Sequence, residues 1–168
     1  LNAVEAWRRE GGRFMVVAGG TTATVARCAQ WRDKVACRFL CRSDDQRRNA
    51  TMLVRCMAFQ LAQDFPRYRQ ELEKAAEDTV EGLLPEPLAR VSVVCKGRML
   101  IVIDAIDEAL DVLQLVASSF HKLPSWLAVV ATAKPTLDAK AWFGSRCSVI
   151  VEPASPRKDL DEKFTDED

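Results

Sequence analysis

Short apolar runs recur along the chain, and the one at 99–103, Met99-Leu100-Ile101-Val102-Ile103, has no alternation of polar and apolar positions. Such a run predicts a strand covered on both faces, as in the middle of a parallel sheet. Further strands are expected near 13–18, 35–41, 126–132 and 147–151, with the central one extending over 99–104. Between them the period becomes helical. A short helix over 3–9 places Val4 and Trp7 on one side and stops at Gly11-Gly12. Val25, Cys28 and Ala29 fall at i, i+3 and i+4 and predict a helix from Thr21 or Thr22 to about Trp31. A helix over 50–64 carries Met52, Leu53, Cys56, Met57, Phe59 and Leu61, a broad face suited to packing on a sheet. Pro66 opens another, to about Ala76. Pro85 and Pro87 interrupt the chain before a helix through Leu88, Val91, Val94 and Cys95. The helix expected over 108–122 has a stripe of Leu110, Leu113, Ala117 and Phe120, and a short one follows near 137–142.

Strands separated by helices predict an α/β domain: three layers, a mainly parallel five-stranded sheet, right-handed crossovers and helices on both faces. Residues 1–152 are expected to form it, and 153–168, charged and without an apolar partner, a loose C-terminal segment.

Composition narrows the partners. The 24 basic and 24 acidic residues cancel, so no global field favours nucleic acid or an anionic membrane. No apolar run approaches the roughly 18 residues needed to cross a bilayer. The start has neither a signal-peptide layout nor an initiator Met, so a segment of a longer intracellular, cytoplasmic protein is expected. The six cysteines are scattered and there is a single His, which supports neither a zinc site nor a disulfide framework.

Ligands of open α/β sheets bind beyond the carboxyl ends of strands, here Gly19-Gly20, Asp104, Thr132 and Lys134. The central strand ends on Asp104, followed by Asp107 and Glu108. Three carboxylates this close repel one another unless a cation or a helix dipole offsets them. Asp107 also suits the N-cap of a helix, with Glu108 a favourable first-turn charge. No such local role suggests itself for Asp104.

A glycine turn after the first strand, a strand ending Asp104-Ala105-Ile106-Asp107-Glu108-Ala109 and a later strand ending Thr132-Ala133-Lys134-Pro135 together resemble a P-loop NTPase of the STAND group. The likeness is to the NACHT-type domain of nephrocystin-like proteins. Trp7 matches that family's tryptophan helix, 37–62 its second-strand block and Leu123-Pro124-Ser125-Trp126 the segment before its later strand, so the likeness spans about 3–152. The resemblance implies ATP and Mg²⁺ as cofactors. Asp104 would hold the metal through water, Asp107 or Glu108 would orient the attacking water, and Thr132 with Lys134 would sense the γ-phosphate. Lys134 stands where the family has Arg, keeping the charge but losing the bidentate fork.

The phosphate loop departs from the pattern. The family's G-x-x-x-x-G-K-[ST] is replaced by Gly19-Gly20-Thr21-Thr22-Ala23-Thr24-Val25-Ala26. Thr24 occupies the second glycine position, Val25 the lysine and Ala26 the metal-binding hydroxyl. Charge-assisted hydrogen bonds contribute about 1.5–3 kcal/mol each, so losing two or three weakens nucleotide binding by about 10²–10⁵. Arg27 falls about 200° round the helix from the lysine position and is a poor rescue. Thr21 or Thr22 serves equally as a helix cap, and the three threonines could hold an anion weakly. The reading is a degenerate NACHT-like ATPase domain in a signalling or scaffold protein. Its expected partners are other domains of the same longer chain, protein partners and further copies of itself. One alternative is an active ATPase with a rebuilt loop. Another is a nucleic-acid-binding module using Arg38, Arg42, Arg47, Arg48 and Arg55, although Phe39 alone offers a nearby aromatic.

Overall fold

The computed structural model describes residues 2–19, 35–44, 49–74, 79–91 and 98–151. Strands β1 (Phe14–Ala18), β2 (Val35–Leu40), β3 (Met99–Asp104), β4 (Leu127–Ala133) and β5 (Cys147–Val151) form one sheet. Their order is β2-β3-β4-β1-β5 and every neighbouring pair is parallel. The fold is therefore the expected three-layer α/β architecture, with no antiparallel strand among the described residues. β4 is buried along its whole length, as a strand with neighbours on both sides and helices above and below must be.

Alternate side chains of the strands feed two cores. On one face Val16, Ile101, Ile103, Val129 and Ala131 pack against Leu53, Met57 and Leu61 of α2 (Ala50–Asp64) and Val112, Leu113 and Val116 of α6 (Leu110–Ser119). On the other, Met15, Val17, Leu100, Val102, Ala128 and Val130 receive Val4 and Trp7 of α1 (Asn2–Arg9). The remaining helices are α3 (Pro66–Leu72), α4 (Val80–Leu83), α5 (Pro85–Ala89) and α7 (Ala139–Phe143).

Several elements differ from the sequence expectation. The buried stripe of α2 is Leu53, Val54, Met57, Ala58 and Leu61; Phe59 is 65% exposed, because a helix resting on an edge strand buries one stripe only. Pro85 and Pro87 lie inside α5, not before it, in a first turn whose N–H groups have no intrahelical partner to lose. α4, capped by the Thr79 hydroxyl on the Gly82 N–H, was not expected. α6 begins at Leu110, not at residue 108, after a tight 3₁₀ turn over Ile106–Glu108. That turn resets the helix phase, so Val112, Leu113 and Val116 face the core and Leu110 is exposed. The helix expected from Thr21 or Thr22 to Trp31, the positions Val94 and Cys95, and the segment 153–168 lie outside the described residues.

Candidate functional site at the carboxyl ends of the strands

Because all five strands run in one direction, their carboxyl ends share one edge of the sheet, and the site is built where the ladder stops. Past Asp104 the chain turns through Ala105, whose φ of 54° lies in the left-handed region. An alanine there costs about 1–2 kcal/mol, so the turn must be held from outside. Thr132 holds it. Its hydroxyl accepts the Ala105 N–H at 2.9 Å and donates to Asp104 Oδ1 at 2.5 Å, and the residue is completely buried. The turn closes through Glu108 N–H to the Ala105 carbonyl at 2.9 Å and buries Ile106. Asp107 and Glu108 thereby swing back over the end of β4.

There both acids meet Lys134. Asp107 Oδ1 accepts the Lys134 N–H at 3.1 Å, and Oδ2 lies 3.6 Å from the ammonium. Glu108 Oε1 is 3.5 Å from the same ammonium and Oε2 accepts the Ser43 N–H at 3.4 Å. Asp107 is thus not a helix cap: the cap position of α6 is Ala109, which makes no side-chain cap bond. Asp107 instead ends β4 by taking the first backbone donor beyond the strand. The repulsion expected among the acids is relieved by Lys134 and by backbone donors.

Gly19 opens the bend after β1 with φ 96°, which favours glycine, and its N–H bonds to the Ala133 carbonyl at 3.1 Å. Lys134 therefore follows directly on the residue that anchors this bend. β4 separates β3 from β1, and Thr132 stands level with Val17. At about 4.8 Å per strand spacing, Asp104 stands about 10 Å across the edge from β1, beyond a carboxylate's own reach. Gly20, Thr21, Thr22, Ala23, Thr24, Val25 and Ala26 lie outside the described residues.

The model of the family described as nephrocystin 3, N-terminal, matches residues 21–134, two thirds of the chain. The chain belongs to the nephrocystin-3 N-terminal family. No curated protein matches it. The family match takes in Asp104, Asp107, Glu108, Thr132 and Lys134.

Beneath the acids of this nephrocystin-3-type chain lies Cys41, whose N–H bonds to the Asp104 carbonyl at 2.9 Å. Burial pushes its thiol up to about 12, and the charges of Asp104, Asp111, Asp107 and Glu108 add to the shift. Among the described residues no three metal-ligating side chains converge, so Asp104 stands as a single carboxylate with one oxygen unspent. Of the basic cluster, Arg42 pairs with Asp44 at 2.7 Å, and Arg47 and Arg48 lie outside the described residues.

Sequence reasoning missed the Ser43 amide, Cys41 and the Asp111 carboxylate, which accepts the Ala50 N–H at 2.8 Å. It also missed what Thr132 does. The signal was present: a hydroxyl inside an otherwise apolar, fully covered strand must find a partner.

Proposed function

We propose that this chain is a NACHT-like P-loop domain of a larger signalling or scaffold protein, with nucleotide binding weak or lost and ATP hydrolysis impaired. What carries the reading is one juxtaposition. Gly19, Asp104, Glu108 and Lys134 share the carboxyl edge of a parallel sheet, while the cradle sequence in the same chain has Thr24, Val25 and Ala26 where glycine, lysine and a hydroxyl are needed. Membership of a family described by the N-terminal part of nephrocystin 3 supports a domain within a longer chain.

The described residues fit the cofactor unequally. Asp104, aimed by Thr132 and with one oxygen open, suits a Mg²⁺ held through water, which would neutralise charge on a bound polyphosphate. Glu108 suits the orientation of a water, and Lys134 suits an anion once it leaves its carboxylates. Asp107 holds the backbone and ammonium of Lys134. Thr132, fully buried with its hydroxyl spent on Asp104 and Ala105, suits positioning of Asp104 better than contact with phosphate.

Calorimetric and thermal-shift titration with Mg-ATP tests the proposal on the chain and on a repaired variant carrying Thr24→Gly, Val25→Lys and Ala26→Thr. The parent should show no rise in melting temperature at millimolar nucleotide, and the repaired variant should gain at least about 100-fold in affinity. A rise of several degrees in the parent overturns the loss of binding, and no gain on repair overturns the P-loop reading itself.

A further inference from the structure

A cleft lies at the end of the sheet opposite Asp104. It wraps the amino end of β1 and has a volume of about 680 Å³, within the range of small-molecule sites. Its walls are apolar: Trp7 of α1, Phe14 of β1, Val116 and Phe120 at the end of α6, and Phe143 of α7.

Two cations meet at one side of it. Arg13 lines the cleft and gives an N–H to the Leu123 carbonyl at 2.6 Å. Arg98 donates to the carbonyl of the adjacent Gly12 at 2.8 Å, and its Nη2 would stand 3.4 Å from a Cβ on Gly11. Both arginines are half-buried, and among the described residues neither pairs with a carboxylate. Burial, and after it the Arg13 charge, lowers the pKa of Arg98. Two partly desolvated like charges held by neutral carbonyls are stabilised by an anion beside them. A guanidinium has five N–H donors in a planar fork that matches a carboxylate, and each of these spends one on a carbonyl. Glu10 and His121, also on the rim, are exposed to solvent, which screens them.

We propose that this cleft binds a small organic acid with one carboxylate and an apolar body, the carboxylate on Arg13 and Arg98 and the body against Trp7, Phe120 and Phe143. Bare phosphate would leave the apolar walls in water, and an amine would be repelled by the guanidinia. The inference is independent of nucleotide binding, since Asp104 and Lys134 stand at the other edge of the sheet.

Titration of the 168-residue chain, followed by its indole N–H resonances, tests it with 4-phenylbutyrate, 4-phenylbutanol, 4-phenylbutylamine and inorganic phosphate as probes. The acid should shift the Trp7 resonance saturably with a Kd on the order of 0.1 mM, and leave unmoved that of Trp126, which packs on Phe65. The alcohol, the amine and phosphate should each bind at least about tenfold more weakly, and Arg13→Gln should weaken the acid by about as much. The probe series needs no variant, so it decides even if Arg13→Gln misfolds. No saturable shift up to about 10 mM acid overturns the proposal, and is the result expected if another segment of the chain fills the cleft. Equal binding of acid and alcohol, or a folded Arg13→Gln that binds as the parent does, overturns the carboxylate site. A Trp126 shift as large as that of Trp7 places the ligand elsewhere and overturns it as well.

Discussion

The β2–β3–β4 half of the sheet is sewn by side chains at the carboxyl ends of its strands, while in the β1–β5 half the side-chain bonds gather where β1 begins, from Arg98 to the Gly12 carbonyl at 2.8 Å and from Arg13 to the Leu123 carbonyl at 2.6 Å. In the first half Gln60 closes the outer strand, Thr132 ties the end of β4 to the turn after β3, and Asp107 ties that turn to Lys134. In the second, Trp7 packs edge-on against Gly12 and Phe14 lies against Phe143 with ring centroids 4.2 Å apart and planes tilted by 36°; the indole N–H groups of Trp7 and, beside β4, of Trp126 are buried with no partner among the described residues. The difference follows from what each half carries. β3 ends on a carboxylate whose following turn is held by Thr132 and Asp107, whereas β5, the last strand of the sheet, is laddered to β1 alone among the described strands.

Gly12→Ala should break the second half with the largest effect. An added Cβ would lie 1.9 Å from Trp7 Nε1, so the indole has to leave its place over Met15 and Val17. A loss of about 3 kcal/mol is expected in urea titration, at the upper end for overpacking. A change under about 1 kcal/mol would show that the α1 layer yields easily, and the contrast would lose its packing half.

In the sewn half, Thr132→Val keeps the shape and removes the hydroxyl, leaving the Ala105 N–H without its acceptor. About 2 kcal/mol should be lost, with faster amide exchange at Ala105. Thr132→Ser should recover most of both. Equal losses in the Ser and Val variants would mean that packing of the methyl, not the stitch, matters at this position.

The effect that is smallest per pH unit is read in alkali, where Cys41, after β2, and Cys147, in β5, are buried thiols. Burial first raises both Cys41, to about 12, and Cys147, to about 11, from the ordinary value of 9.0. The unfolded chain ionises these thiols near that ordinary value and the folded chain does not. Their contribution is therefore whole below about pH 9 and declines as pH rises, until about 11 for Cys147 and about 12 for Cys41. Stability should fall by roughly 1 kcal/mol per pH unit per thiol in that window. Cys41→Ala should flatten the fall over the wider range, and urea titrations on either side of about pH 9 check this.

Much of the architecture was legible from the residues alone. The apolar runs located five strands to within a residue or two, and Asn49 accepts the Met52 N–H at the start of α2, where the helix was expected. Hydrophobic period and cap chemistry are local, so they survive any arrangement of the rest. Asp104 at a strand end was legible for the same reason. The role of Asp107 was not: its local sequence suits a cap, but Lys134, 27 positions further on, offers a backbone donor with no strand partner, and that contact won.

What the chain determined by itself was where the five strands lie and which of positions 19–26 lack the glycine, lysine and hydroxyl of a phosphate loop, though not every residue that turns inward, since Phe59 and Leu110 are exposed. Only the tertiary structure decided that β4 would stand between β3 and β1, that Thr132 would hold an acid 28 positions away, and that β5 would be left at the rim. The physical reason is range. A period or a cap is settled by neighbours along the chain, whereas strand order and the partner of a buried hydroxyl depend on which distant segments meet once both cores are filled.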